Sequence, residues 1–218
     1  MDSDGDGYGD NPAGTNGDAC PLVAGNSTSD RNGCTDSDGD GYSDPDVLWT
    51  TDDGADAYPF DPTRWGDNDG DGFDDGLDDD CPTLFGTSVH DRKGCPDQDG
   101  DGYSDPDSGW TTNDGADAFM TDSTQWNDTD DDGYGDEATG SFPDACPTVY
   151  GESWQNGTLG CPDADLDGWA DQEDSHPDEQ SQWLDADGDG YGDNPGGADP
   201  RCLPDGWRDL CVHLPRVR

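Results

Sequence analysis

A nine-residue frame, Asp-x-Asp-x-Asp-Gly-x-x-Asp, recurs seven times in 218 residues, and little else in the chain is regular enough to dictate a fold. The copies supply carboxylates at positions 1, 3, 5 and 9. They are Asp2, Asp4, Asp6 and Asp10; Asp36, Asp38, Asp40 and Asp44; Asp67, Asp69, Asp71 and Asp75; Asp97, Asp99, Asp101 and Asp105; Asp128, Asp130, Asp132 and Asp136; Asp163, Asp165, Asp167 and Asp171; and Asp185, Asp187, Asp189 and Asp193. Glycine fills position 6 every time. Hard divalent cations take oxygen ligands, and a calcium loop of the EF-hand kind offers them at alternate positions, with glycine at position 6 for the sharp turn. Asp/Gly clusters also make ordinary turns. Seven copies in one register point instead to an array of calcium-ligand loops.

Composition explains why such an array would need its ions. Fifty-five acidic residues face eight basic ones, for a formal charge of -47, and only Glu137, Glu152, Glu173 and Glu179 among the acids are glutamate. A merely solvating acidic tract would carry much Glu and Lys. Isoleucine is absent and Leu, Val and Phe number 10, 6 and 5, well below what a hydrophobic core requires. The chain is therefore expected not to fold without metal. Its charge excludes nucleic acid, which demands clustered Lys and Arg, and disfavours anionic membranes. No apolar run approaches the roughly 20 residues of a membrane helix. With its first loop starting directly after Met1, the chain reads as a fragment of a longer secreted protein.

The loop starts, at 2, 36, 67, 97, 128, 163 and 185, define seven tandem repeats over residues 2–200, a spacing that implies units touching mainly their neighbours. Two unit types alternate. One carries a cysteine pair: Cys20 and Cys34, Cys81 and Cys95, Cys146 and Cys161. The other has none and ends in Asp-Ala-Tyr/Phe followed by Thr-Arg/Gln-Trp. The sixth unit has no insertion and sets Asp174 at position 12, where a calcium loop closes. Insertions containing Trp49-Thr-Thr and Trp110-Thr-Thr displace the equivalent residue in the longer units, which assigns closure to Asp56 and Asp117. By the same logic Asp18 and Asp144, two residues before cysteine, close cysteine-bearing units, while Asp78 and Asp79 compete in the third. Trp65, Trp126 and Trp183, each two residues before a loop, read as wedges between repeats.

No stretch sustains a 3.6-residue period, and Gly or Pro interrupts nearly every candidate strand. The expected fold is mostly irregular, with little regular secondary structure: an elongated, calcium-stabilised repeat array with local disulfides. Without flanking helices a calmodulin-like sensor is not expected.

These residues resemble thrombospondin type 3 repeats of the prokaryotic surface-protein kind, whose pattern is Asp-x-Asp-x-Asp-Gly-x-x-Asp-x-x-Asp followed by Cys-Pro. Asp67 through Asp78, leading to Cys81-Pro82, matches it best. The resemblance implies that calcium ions wrapped by irregular chain form the core, stapled by disulfides, in calcium-dependent stalks. The Trp-Thr-Thr insertions and cysteine-free units depart from the animal pattern.

Cysteine spacings of 14, 14 and 15 favour local disulfides and an oxidising, extracellular compartment. Zinc would want Cys-x-x-Cys knuckles, which are absent. The last 18 residues, 201–218, look aberrant: they hold Arg201, Arg208, Arg216 and Arg218, half of all the basic residues. Back-translating residues 201–211 with freely chosen codons and dropping one base gives Asp-Ala-Cys-Pro-Thr-Val-Gly-Gly-Thr-Ser, close to residues 144–153. A frameshift is the reading, and Cys202 and Cys211 are then no native pair.

Catalysis finds no support in the three scattered histidines, His90, His176 and His213. The expected function is calcium binding by an extracellular stalk or adhesion spacer. A calcium-binding linker of a secreted hydrolase and a disordered acidic segment are the alternatives. Calcium ions, and cell-surface or matrix proteins, are the expected partners, with no nucleic acid and no membrane insertion.

Overall fold

The structure, a computed structural model, describes residues 1–197, so the anomalous tail with Cys202 and Cys211 lies outside the described residues. Among the described residues, regular structure is confined to single 3-10 turns at Thr51–Asp53 and Thr112–Asp114 and a few isolated bridges. The fold is thus mostly irregular, as the composition dictates. It falls into two compact units, Met1–Asp107 and Ser108–Arg218. The first holds the loops starting at Asp2, Asp36, Asp67 and Asp97, the second those at Asp128, Asp163 and Asp185.

Each loop is folded by its own carboxylates. The position-1 aspartate accepts two backbone N–H bonds, one per oxygen; at Asp67 these come from Gly70 at 2.7 Å and Gly72 at 3.1 Å. The position-9 residue shuts the ring, its N–H reaching the carbonyl that precedes position 1 at 2.7 to 3.0 Å in all seven copies, from Asp10 to Met1 through Asp193 to Leu184.

Two left-handed residues make this ring possible. At position 6 the φ angles run from 85° at Gly190 to 103° at Gly41, where a side chain is strained, and the residue is always glycine. Position 4 is less demanding. Asp131 and Leu166 sit there at φ 60° and 64°, inside the small left-handed region open to L-residues.

Successive loops are joined by one repeated seam. The closing aspartate donates its N–H to the carbonyl of loop position 8: Asp18 to Gly9, Asp56 to Ser43, Asp79 to Asp74, Asp144 to Gly135 and Asp174 to Ala170. The next residue then donates to a second segment. In cysteine-bearing units that acceptor precedes the second cysteine, as in Ala19 to Asn32. In cysteine-free units it is the tryptophan carbonyl, as in Ala57 to Trp65, Ala118 to Trp126 and Ser175 to Trp183. Tryptophan therefore occupies the place that Asn32, Lys93 and Leu159 hold beside the second cysteine elsewhere. Trp65 stacks on Tyr42 at 5.2 Å and 3°, and Trp183 on Trp169 at 6.4 Å and 7°.

Three disulfides, Cys20–Cys34, Cys81–Cys95 and Cys146–Cys161, pair the six cysteines of the described residues locally. Behind each sits a buried serine, Ser27, Ser88 or Ser153, whose hydroxyl accepts the second cysteine's N–H at 3.1, 3.0 and 2.9 Å. The interior is mostly polar. Its apolar members are small, Cys34, Ala55, Cys95, Ala116, Cys161 and Ala170, whereas Val47, Leu48 and Phe60 are among the exposed residues. Burial of aliphatic surface cannot be what holds these units together.

Candidate metal centres

Folding the nine-residue ring brings carboxylates at positions 1, 3 and 5 onto one point. Asp2/Asp4/Asp6, Asp36/Asp38/Asp40, Asp67/Asp69/Asp71, Asp97/Asp99/Asp101 and Asp128/Asp130/Asp132 each offer oxygens within 4.8 Å of one another, and two further groups do the same. The sixth and seventh loops keep the same internal bonds, with Asp163 accepting from Leu166 and Gly168, and Asp185 from Gly188 and Gly190.

The oxygens divide into those that build the loop and those left over. At position 3 one oxygen takes the N–H of position 5, and at position 5 one oxygen takes that of position 7, as in Asp40 to Tyr42 at 2.8 Å. The other oxygens of Asp4, Asp38, Asp69 and Asp165, and both of Asp130, are buried with no hydrogen-bond partner. So are second oxygens of Asp40, Asp101 and Asp167.

The closing residues complete the pattern. Asp18, Asp56, Asp79, Asp144 and Asp174 each give one oxygen to the N–H two residues on, of Cys20, Tyr58, Cys81, Cys146 and His176 respectively. Their second oxygens are buried and unpartnered. Asp18, Asp56, Asp144 and Asp174 are 1%, 0%, 6% and 8% exposed, so no solvent replaces the missing partner. A buried unpaired carboxylate oxygen is costly, and an array of them converging on acidic triads fits a cation supplied from outside the chain. Asp117, also buried, gives one oxygen to the Phe119 N–H at 2.6 Å.

Electrostatics report the same crowding. Burial above all, with added repulsion from Asp40, Asp38 and Asp44, pushes the Asp56 carboxyl up to about 6 against the opposing pull of the Tyr58 N–H. Asp144 is pushed to about 6 by burial and by Asp132, Asp130 and Asp136. Asp4, Asp40, Asp69, Asp79, Asp101, Asp132, Asp165, Asp167 and Asp174 are raised as well, burial leading in each. Carboxylates held this way favour a proton or a cation over an empty cage.

Two sequence assignments change. Asp78 is engaged elsewhere: it accepts the Asp74 N–H at 2.9 Å and pairs with Arg64 at 3.1 Å. Asp79 takes the closing place, because the Cys-Pro segment fixes closure two residues ahead of cysteine, as at Asp18 and Asp144. The position-9 residues Asp10, Asp44, Asp75, Asp105, Asp136, Asp171 and Asp193 also differ from expectation. In every copy the carboxylate accepts the N–H of position 2, between 2.7 Å at Ser3 and 3.3 Å at Gln98 and Thr129. Where position 2 is Ser3, Ser37 or Thr129, the second oxygen takes the hydroxyl too. Position 9 is a clasp across the ring, apart from the converging oxygens of positions 1, 3 and 5.

The seventh loop is the most open. Asp187 and Asp189 are exposed, and the chain that would follow position 12 and beyond runs into residues outside the description.

Supporting residues escaped the sequence reading. Asp30 and Asp91 grip the position-8 serines, Ser43 and Ser104, by N–H and hydroxyl, the N–H bonds at 2.9 Å in both. Gln125, 1% exposed, accepts the Glu137 N–H at 2.9 Å and donates to the Glu137 and Ser141 carbonyls. Aligning the cysteine units on each other would have exposed Ser27, Ser88 and Ser153, which precede the second cysteine by 7 or 8 residues. Gln182, also 1% exposed and also directly before a tryptophan, repeats the arrangement by accepting the Asn194 N–H at 2.9 Å and donating to the Asn194 carbonyl, so aligning the cysteine-free units would have exposed this pair.

No known protein-family model matches this chain, nor does any curated protein sequence. No helix among the described residues is long and apolar enough to cross a membrane.

Proposed function

We propose that the chain is a calcium-binding structural segment, of the thrombospondin type 3 kind, serving as an extracellular stalk or adhesion spacer. The observation that carries this reading is the set of buried, unpartnered carboxylate oxygens on Asp18, Asp56, Asp144 and Asp174, added to the acidic triads. All the donors are oxygens and the loops are irregular, a combination that suits calcium better than magnesium, which dehydrates reluctantly and demands near-ideal octahedral geometry. Calcium bound here would neutralise the converging carboxylates; the residues supplying oxygens are those at positions 1, 3 and 5 with the closing aspartate. Three disulfides support an oxidising location. No catalytic role is proposed.

Calorimetric titration of the metal-free protein tests the proposal. At least seven calcium ions are expected, with magnesium a weak competitor. Two or fewer sites, or equal affinity for magnesium, would reject it.

A further inference from the structure

The two unit types differ in what holds the fifth loop position. In the cysteine-bearing units its second oxygen accepts a backbone N–H from the disulfide loop: Asp6 from Gly25 at 3.1 Å, Asp71 from Gly86 at 3.1 Å and Asp132 from Gly151 at 3.2 Å. In the cysteine-free units the corresponding oxygens of Asp40, Asp101 and Asp167 have no such partner.

The same disulfide loop walls the other side of the cluster. Gly33, Gly94 and Gly160 each precede the second cysteine at φ 78°, 70° and 71°. A Cβ there would fall 2.5, 2.4 and 2.3 Å from Oδ1 of the closing residues Asp18, Asp79 and Asp144. It would also lie 3.1, 3.2 and 2.8 Å from Oδ2 of Asp6, Asp71 and Asp132. Gly25, Gly86 and Gly151 are pressed in turn against the backbone of Cys34, Cys95 and Cys161, where a Cβ would sit 2.0, 1.9 and 2.0 Å from the nearest atom. The first cysteine of each pair donates its N–H to the closing carboxylate at 2.7 Å. Each S–S bond therefore joins the segment carrying the closing aspartate to the second-cysteine segment against which the position-5 donor is packed.

Cysteine-free units lack this covalent link. Asp56 and Asp174 are set by the seam to Ser43 and Ala170, and by the segments whose tryptophans stack on Tyr42 and Trp169.

We infer that the cation sites form two alternating classes: three sites, at the loops beginning with Asp2, Asp67 and Asp128, are assembled by their disulfides and weaken on reduction, while those of the cysteine-free units do not. The inference rests on the calcium reading and adds a redox dependence to it. Opening a loop of about 15 residues corresponds to on the order of a hundredfold in a folding equilibrium. Some of that loss falls on ligand ordering, so the three affinities should drop by about ten- to a hundredfold. Linkage makes the effect reciprocal. Each tenfold loss of affinity on reduction should make the disulfide harder to reduce in saturating calcium by about 30 mV. Reduction adds two electrons and two protons per disulfide, supplied by an added dithiol.

The test compares calcium titrations of the full chain, oxidised against dithiothreitol-reduced and alkylated, with residue-resolved hydrogen exchange to place the sites. A second sample carries Cys81→Ser with Cys95→Ser and keeps the other disulfides. Reduction should weaken three sites and leave protection in Asp36–Asp44 and Asp163–Asp171; the double variant should weaken only the site at Asp67–Asp75. Unchanged affinity at all sites after reduction, or equal loss at every site in the double variant, overturns the inference. Absence of calcium binding by the oxidised protein overturns it too, but by removing the calcium reading beneath it.

Discussion

Removing calcium should unfold this protein, and the size of the effect follows from its buried oxygens. Among the described residues, twelve aspartates, Asp18, Asp38, Asp40, Asp56, Asp69, Asp79, Asp101, Asp130, Asp144, Asp165, Asp167 and Asp174, carry buried carboxylate oxygens with no hydrogen-bond partner. Each unsatisfied buried polar group costs about 1 to 3 kcal/mol, and more when charged, so even the low end totals about 12 kcal/mol. Typical domains have only about 5 to 15 kcal/mol of net stability. Seven calcium sites, filled at a hundred times their dissociation constant, return about 2.7 kcal/mol each, or about 19 kcal/mol. The folded state should hold in millimolar calcium and fail in chelator. Small-angle scattering should show the radius of gyration rising toward the about 50 Å of an unfolded chain of this length, less the contraction from three local disulfides. Limited proteolysis should accelerate in parallel, and both changes should reverse when calcium returns. Equal radii and equal proteolysis rates with calcium and with chelator would refute the reasoning.

Neutralising the third loop's two candidates separately should give unlike results in a calcium titration: Asp79→Asn loses or weakens one site. Asp78→Asn breaks only a part-exposed pair with Arg64 and should cost at most about 1 kcal/mol with site number unchanged. Calcium affinity should fall with acid. Asp56 and Asp144 titrate near 6 in the metal-free fold against 3.8 when unfolded, so that fold loses stability as pH rises between these values. Calcium must displace those protons below pH 6, which weakens binding by up to about tenfold per pH unit per carboxylate; a flat profile from pH 7.5 to 5 contradicts it. Gly72→Ala should destabilise by about 1 to 2 kcal/mol in calcium, because φ is 96° although a Cβ there would meet nothing within 4 Å. Leu166→Gly, at φ 64°, relieves much less strain, and urea melts distinguish the pair. Trp65→Ala should remove the stack on Tyr42, worth about 0.5 to 1.5 kcal/mol beyond its buried area, read from the loss of near-ultraviolet circular dichroism.

Much of the architecture was legible because its unit is short. A position-1 aspartate reaches the N–H groups three and five residues on, so the ring at Asp67–Asp75 is specified within nine consecutive residues. Scarcity of large apolar residues and frequent Gly and Pro told of irregular structure, and that is what the fold shows. The three disulfides follow from spacing for the same reason of locality.

What the sequence could not settle depends on contacts between segments. Asp78 and Asp79 are equivalent by type and nearly so by position; the Asp74 N–H together with Arg64, 14 residues away, holds Asp78 out of the cluster. Position 9 looks like a ligand because it is an invariant carboxylate of the frame, yet the ring turns it toward the position-2 N–H. The tryptophans read as wedges, but their partners, Tyr42 and Trp169, come from the preceding loop's seventh position. Local chemistry thus determined where each acidic loop forms and why its fold is irregular. The tertiary structure decided which carboxylate oxygens are spent on hydrogen bonds and which remain buried and unpartnered, because that division depends on N–H groups brought in from segments up to 19 residues away, as Gly25 is to Asp6.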